Sequence, residues 1–252
     1  MARNRLRCLG GMCCVVVLVA ACGAKPKSGE TDTDVRRAAA KQQPPEASSS
    51  PVAAKAFGKP LVYNFDDDAP GKPLAHFRFA RTGQGTEGTW VVQPDPTAPS
   101  KPNVLAQTST DTTDYRFPLA ILEEGSYRDV AVMVKFKAVS GKVDQAAGIV
   151  FRYQDPNNYY IVRANALENN HRLYQVVAGQ RRQFAGVNLR VTPNQWHTLR
   201  VEAVSNQIRC YYDGELKISA TDDTFLGPGK VGVWTKADSV TYFDDFEVST
   251  PP

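Results

Sequence analysis

Four of the five cysteines in this chain, Cys8, Cys13, Cys14 and Cys22, fall within its first 22 residues. Cys210 is therefore alone in the remainder, which excludes an intrachain disulfide there. It stands in QIRCYYDG, two residues from Ile208 and from Tyr212, and reads as a small buried strand residue; a nucleophilic role needs a nearby base. No segment beyond the leader carries a sustained helical stripe, so period two is left to organise the fold. Dense clusters of Lys and Arg are missing as well. The formal net charge of +4 is spread along the chain and gives no argument for nucleic acid. From Ala24 to Ala56 there is no aromatic residue, and PPEASSSP lies within that stretch. Such a composition buries too little apolar area to offset chain entropy, and it reads as a disordered, moderately stiff tether.

The N-terminus is more explicit. Arg3, Arg5 and Arg7 precede an apolar run from Gly11 to Ala21 that is too short for a comfortable membrane span. This is the pattern of a secretory signal peptide, residues 1–21. Val19-Ala20-Ala21-Cys22-Gly23 resembles a bacterial lipobox, which makes Cys22 the candidate lipidation site; the alternative is an Ala-rich cleavage site with a coincidental cysteine. Acyl chains on Cys22 would hold the chain at a membrane at roughly 0.8 kcal/mol per buried methylene. Gly rather than Asp after Cys22 favours the outer membrane in a two-membrane host. Residues 22–56 are then the lipidated cysteine and linker, and 57–252 form one domain of a size that builds a single core.

Alternation dominates that domain. VAVMVKFKAV (130–139) places Val130, Val132, Val134 and Phe136 on one face, and HTLRVEAV (197–204) does the same with Leu199, Val201 and Ala203. GIVFRY (148–153) aligns Ile149, Phe151 and Tyr153. Asp213-Gly214, between two alternating runs in IRCYYDGELKI, is a strong hairpin signal. Many short strands separated by Gly, Pro and Asn turns predict an all-β fold, a two-sheet antiparallel jelly-roll sandwich.

Four stretches then carry a resemblance: LVYNFDDD (61–68), GIVFRYQDPNNYYIVRANALENNHRLYQVVAGQRRQ (148–183), WHTLRVEAVSNQIRCYYDGELK (196–217) and GKVGVWTKADSVTYFDDFEV (229–248). Together they resemble the concanavalin A-like jelly roll, and more narrowly the bacterial 3-keto-disaccharide hydrolase, or family 16 glycoside hydrolase-like, domains, which are close to laminin G-like modules. The resemblance implies the sandwich fold. It leaves activity open, because this architecture hosts enzymes, lectins and adhesion modules alike.

Family 16 glycosidases carry two glutamates and an aspartate at alternating positions of one strand, and that pattern is absent. Glu123 and Glu124 are adjacent and diverge on a strand. Asp245 and Glu247 share a face, but on a closing strand expected beside the opening one, away from the cleft. Two carboxyl groups across one scissile bond, as ordinary retaining hydrolysis needs, are not provided. Acidic residues at the two ends suggest another use. By analogy with jelly-roll carbohydrate modules, Asp66, in the run Asp66 to Asp68, and Asp244, beside Asp245, are candidate ligands of a structural Ca²⁺; the alternative is solvated turn aspartates.

The candidate recognition surface is NYYIVRANALENNHRLYQ (158–175). Alternation directs Tyr160, Val162 and Ala164 to the core, and Tyr159, Ile161, Arg163 and Asn165 to the other face. The turn LENN leads to a return strand in which Leu173 and Val177, with His171 at its start, share one face and Arg172, Tyr174 and Val176 share the other; His171 reads as a surface or hydrogen-bonded residue before it reads as a base. Arg152, alternating away from Phe151 and Tyr153, is expected to join them. The resulting set, Arg152, Tyr159, Arg163, Asn165, Arg172 and Tyr174, combines apolar platforms with fixed donors and acceptors and suits a glycan; the alternative is a sheet surface stabilised by cross-strand Tyr and Arg pairs. Trp196 and Trp234 read as core or core-edge residues. Trp90 is the candidate exposed platform, and PDPTAPSKPN (94–103) the candidate rim of a cleft.

The leading expectation is a monomeric, lipid-anchored, carbohydrate-binding domain of the bacterial cell envelope. The resemblance implies an alternative, cleavage of oxidised 3-keto disaccharides by proton abstraction and elimination. That chemistry needs one base and an oxyanion stabiliser rather than a carboxylate pair. Glu168 or His171 is then the base and Arg163 the stabiliser. A third reading is an adhesion or scaffold module that binds protein.

Overall fold

The computed structural model describes residues 56–72 and 74–252; the leader, Cys22 and the linker up to residue 55 lie outside the described residues. Fifteen strands form the described part, with no helix among them. In chain order they are β1 (Leu61–Tyr63), β2 (Phe77–Gly83), β3 (Trp90–Pro94), β4 (Asn103–Gln107) and β5 (Arg116–Leu122). Next come β6 (Val130–Ser140), β7 (Ala146–Asp155), β8 (Asn158–Asn165), β9 (Asn170–Val177) and β10 (Gln180–Asn188). The last five are β11 (Trp196–Val204), β12 (Gln207–Tyr212), β13 (Glu215–Thr221), β14 (Lys230–Trp234) and β15 (Val240–Ser249).

They pair antiparallel in two sheets. One runs β13-β12-β11-β6-β15-β4-β3, with β1 added alongside the end of β15; the other runs β10-β9-β8-β7-β14-β5-β2. The predicted sandwich is what forms. Val130, Val132, Val134, Phe136, Leu199 and Val201 from the first sheet meet Ile149, Phe151, Tyr160 and Val162 from the second in one apolar cluster. Each such buried side chain contributes about 1.5–3 kcal/mol relative to exposure. The β12–β13 hairpin turns at Asp213 (φ 48°) and Gly214 (φ 82°), the two left-handed positions a two-residue turn needs.

The sheets differ in what their outer faces do. On the first, β11 alternates buried and partly exposed residues, as a one-sided strand should. On the second, β5 (RFPLAIL) is buried at every position, and β7 at its first eight. Strands buried on both faces read as continuous apolar runs. A second apolar cluster accordingly lies on the outer face of the seven-stranded sheet, made of Phe117, Leu119, Val150, Tyr159, Ile161, Tyr174 and Trp234 among others.

Candidate functional site

The outer face of the seven-stranded sheet is closed at one end by its own edges. Thr82 on edge strand β2 hydrogen-bonds the Tyr159 hydroxyl on β8 at 2.8 Å. Tyr115, just before β5, donates to Gly179 O at 2.8 Å and accepts from Arg181 N at 2.9 Å, linking that edge to the β9–β10 turn. Beneath these links Phe117 stacks on Trp234, with ring centres 5.3 Å apart and 23° between planes. Tyr159, Phe117 and Trp234 are fully buried, and burial pushes the Tyr159 hydroxyl well above its ordinary pKa. They form a floor, and no ring among them is open for a sugar to stack upon.

At the other end the face turns polar. Arg163 on β8 donates from Nη2 to Glu168 Oε2 at 2.7 Å and to the Tyr174 hydroxyl at 2.9 Å, and from Nη1 to Asn170 Oδ1. Asn170 Nδ2 donates to the same Glu168 oxygen at 2.9 Å. The β8–β9 turn is shaped for this: Asn169 takes φ 50°, and Asn165 Oδ1 accepts from Leu167 N at 2.9 Å and Glu168 N at 3.2 Å. Asn165 Nδ2 reaches Asp144 Oδ1, whose other oxygen lies 2.9 Å from Lys236 Nζ. Lys236 also pairs with Asp114. Arg163 is nearly buried, whereas the Glu168 side chain is 46% exposed, so the network has one solvent-facing acceptor. Partial burial raises the Glu168 pKa, but the Asn170 hydrogen bond and the Arg163 charge outweigh it and hold the carboxyl below its ordinary value. Glu168 is thus a carboxylate at neutral pH, suited to accepting hydrogen bonds and poor as a proton acceptor.

The sequence-predicted residues divide accordingly. Tyr159, Arg163, Asn165, Arg172 and Tyr174 do share the outer face, with Arg163 directly opposite Arg172 in the β8–β9 register. Their exposure does not follow the expectation, because Tyr159 and Asn165 are fully buried and Arg163 and Tyr174 nearly so. Arg152 does not join them. A bulge after Phe151 puts it at φ 49°, and its buried guanidinium donates to Arg128 O (3.1 Å), Phe225 O (2.8 Å) and Ser205 O, tying loops at the sandwich end. Gly229 permits this, since a Cβ there would lie 2.4 Å from the Arg152 carbonyl carbon. The same bulge sends Tyr153 to the outer cluster and leaves Phe151 inside.

His171 faces inward, opposite Ala164 and 6.2 Å from the Tyr212 ring, fully buried with both ring nitrogens unpartnered. Burial lowers its pKa to about 4, and the sheet separates it from Glu168's face, so it is no base for chemistry there. Trp90 is core, stacked on Phe79 at 6.1 Å. Loop 94–103 packs on the other sheet, where Asp95 and Thr97 hold Lys137 and Thr97 meets Trp196. Burial pushes the Cys210 thiol up, which makes it inert. Sequence reasoning missed Lys236, Asp144 and Arg181; only the fold brings Lys236 to Asp144 and Arg181 over the Tyr174 and Trp234 rings.

The acidic ends are joined by one loop. Asp244 is buried, and its carboxylate accepts from Ser100 N at 2.8 Å, Ser100 Oγ at 2.9 Å and its neighbour Asp245 N at 2.7 Å. Burial raises its pKa despite those donors. Asp66 accepts from Asn103 N at 3.0 Å. N–H and O–H groups aimed at both Asp244 oxygens use lone pairs a Ca²⁺ would need, whereas Asp66 receives one such donor, on Oδ1. Among the described residues no three His, Cys, Asp or Glu side chains gather to hold a metal. Hydrogen bonds from residues 100–103 make the junction between the two acidic ends that is expected of the calcium clip.

Residues 65–249 match the family described as the 3-keto-alpha-glucoside-1,2-lyase-like domain. The chain belongs to this family. The matched span of the 3-keto-alpha-glucoside-1,2-lyase-like domain includes the whole polar end described above. No curated protein sequence matches the chain. Among solved structures, the carbohydrate-binding module CBM66 from Bacillus subtilis is similar at 19% identity and a TM-score of 0.55, covering 70% of this chain and 98% of that one. Domain 4 of AbnA, a GH43 extracellular arabinanase from Geobacillus stearothermophilus in complex with arabinotriose, is similar at 14% identity and 0.51 (78% and 93% covered). A Bacillus licheniformis beta-glucanase is similar at 14% and 0.50 (77% and 99%). At such identities these likenesses establish that the 3-keto-alpha-glucoside-1,2-lyase-like domain shares their jelly-roll fold.

Proposed function

We propose that the domain binds a saccharide at the polar end of the seven-stranded sheet's outer face, held at the bacterial cell envelope by a lipid on Cys22. One observation carries this reading: Arg163, itself held by the Tyr174 hydroxyl, and Asn170 fix Glu168 in a closed network whose acceptor remains half open to solvent. Donors and acceptors fixed before the ligand arrives bind hydroxyls at low entropic cost. The solved relatives named for carbohydrate modules support the ligand class, since they share the fold. Arg172 and Lys236, partly exposed on the same face, extend the polar rim.

A second reading follows from the family. Its name points to a 3-keto glycoside, in which the hydrogen on C2 is acidified by the C3 ketone. A base that takes that proton leaves an enolate, and breaking the C1–O bond releases the aglycone, whose oxygen receives a proton. Glu168 is the base within reach of such a face, with Arg163 and Lys236 as cations for the enolate oxygen. The depressed pKa of Glu168 and the seclusion of His171 favour binding over turnover.

The purified chain decides between the two when incubated with a 3-keto-glucoside and, separately, titrated with an oligosaccharide panel. Binding without turnover, weakened at least tenfold by Arg163→Ala, is the expected result. Turnover abolished by Glu168→Gln transfers the assignment to the lyase. Neither binding nor turnover would discard the site.

A further inference from the structure

We infer that the saccharide recognised on this face carries a carboxylate, as a uronate does, and that Arg181 receives it. This rests on the carbohydrate reading above. Arg181 projects from edge strand β10 across the aromatic floor, its guanidinium carbon 4.5 Å from the Tyr174 ring centre, 4.6 Å from Phe117 and 5.7 Å from Trp234. Three rings hold the cation by their quadrupoles but accept little from its five N–H donors. Nη1 is buried with no hydrogen-bond partner, and the ion pairs among the described residues include none to this side chain. A desolvated guanidinium N–H without an acceptor is costly, and such a group calls for one.

The neighbouring charges do not supply it. Glu168 is committed to Arg163, and Asp144 and Asp114 to Lys236. Arg172, opposite Arg163, donates to the neutral Asn188 amide oxygen, and the ion pairs among the described residues do not involve it. Arg163 leaves its Nε buried and unpartnered, and its guanidinium lies 5.6 Å from the same Tyr174 ring that Arg181 covers. Two guanidinia with unused donors therefore flank one ring. Glu168 answers the charge of Arg163, and no ion pair among the described residues answers that of Arg181, so an anion is missing on the Arg181 side of the ring. A sugar hydroxyl satisfies one N–H and leaves the charge; a carboxylate satisfies both with the fork geometry that guanidinium favours.

The test titrates the full chain calorimetrically with oligomers of galacturonate, glucuronate and mannuronate, their methyl esters, and neutral galactose and glucose oligomers. At least one acid oligomer should bind about ten- to a hundredfold more tightly than its ester, with affinity falling as salt rises. Arg181→Gln should erase that preference, and Arg181→Lys, which keeps charge without the fork and spares the packing over the rings, should restore part of it. Esters or neutral oligomers bound as tightly as acids would overturn the inference and leave the carbohydrate reading standing. Inorganic sulfate displacing the acid oligomer at equal concentration would overturn recognition of the sugar acid. Failure of every oligosaccharide to bind would remove both.

Discussion

Replacing His171 by leucine should flatten the dependence of stability on pH. His171 is fully buried between the sheets, and neither ring nitrogen has a hydrogen-bond partner. Burial is the main cause of its lowered pKa; the nearby Arg163 backbone opposes it in part, and the positive charges of Arg163, Arg172 and Lys217 add to it, so the folded value is about 4 against 6.5 unfolded. Below pH 6.5 the unfolded chain binds a proton that the folded chain refuses. Stability is therefore full above pH 6.5 and is lost as the pH falls toward 4. At 1.36 kcal/mol per pKa unit the loss reaches about 3 kcal/mol in total, of which about 2 kcal/mol has gone by pH 5. Urea unfolding of the wild type and His171→Leu between pH 7.5 and pH 4.5 measures the difference, and subtraction removes the carboxylates common to both. The variant should also be no less stable at pH 7.5, because two orphaned polar atoms are replaced by methyl groups. Proton NMR offers a direct check, since the chain has only three histidines, His76, His171 and His197. Parallel pH curves for the two proteins, or a His171 resonance titrating near 6.5, would refute the reasoning.

Arg152→Met should destabilise the fold by about 3 kcal/mol or more, because three loop carbonyls lose their donor, while leaving saccharide affinity within twofold; denaturant unfolding and calorimetry measure the two separately, and a selective loss of affinity would return Arg152 to the site. Chelation with EDTA should leave the melting temperature unchanged, since Ser100 already donates to both oxygens of Asp244 and Asn103 to one of Asp66, which joins the two ends without a metal. Asp244→Ala should cost about 1–3 kcal/mol in urea unfolding, by stranding the Ser100 donors. A shift of several degrees on chelation would restore the metal.

Much of this architecture was legible in the pattern of residues. The inward set of β6 and β11, the Asp213-Gly214 turn, and the separation of Tyr160, Val162 and Ala164 from Tyr159, Arg163 and Asn165 follow from a side-chain period of two, which is local. The same rule failed at Arg152 and Tyr153, because one extra residue in a bulge reverses the sides and leaves no mark in the letters. Alternation also assigns a face without saying what covers it. RFPLAIL and AAGIV, apolar on both sides, were the available sign that the outer face of their sheet is a second core.

The amino-acid sequence by itself determined the all-β class, the division of the 158–175 hairpin into an inner and an outer face, and the absence of the carboxylate pattern of family 16 glycosidases. Each depends on neighbours a few residues apart. Only the tertiary structure decided that Tyr159 and Tyr174 are floor rather than platform, that His171 is sealed between sheets, and that Lys236, Asp144, Arg163 and Glu168 meet at one end. Those outcomes depend on the curl that brings β2 to β8 and on residues 92 positions apart, such as Asp144 and Lys236, and burial and charge pairing are set by such long-range contacts.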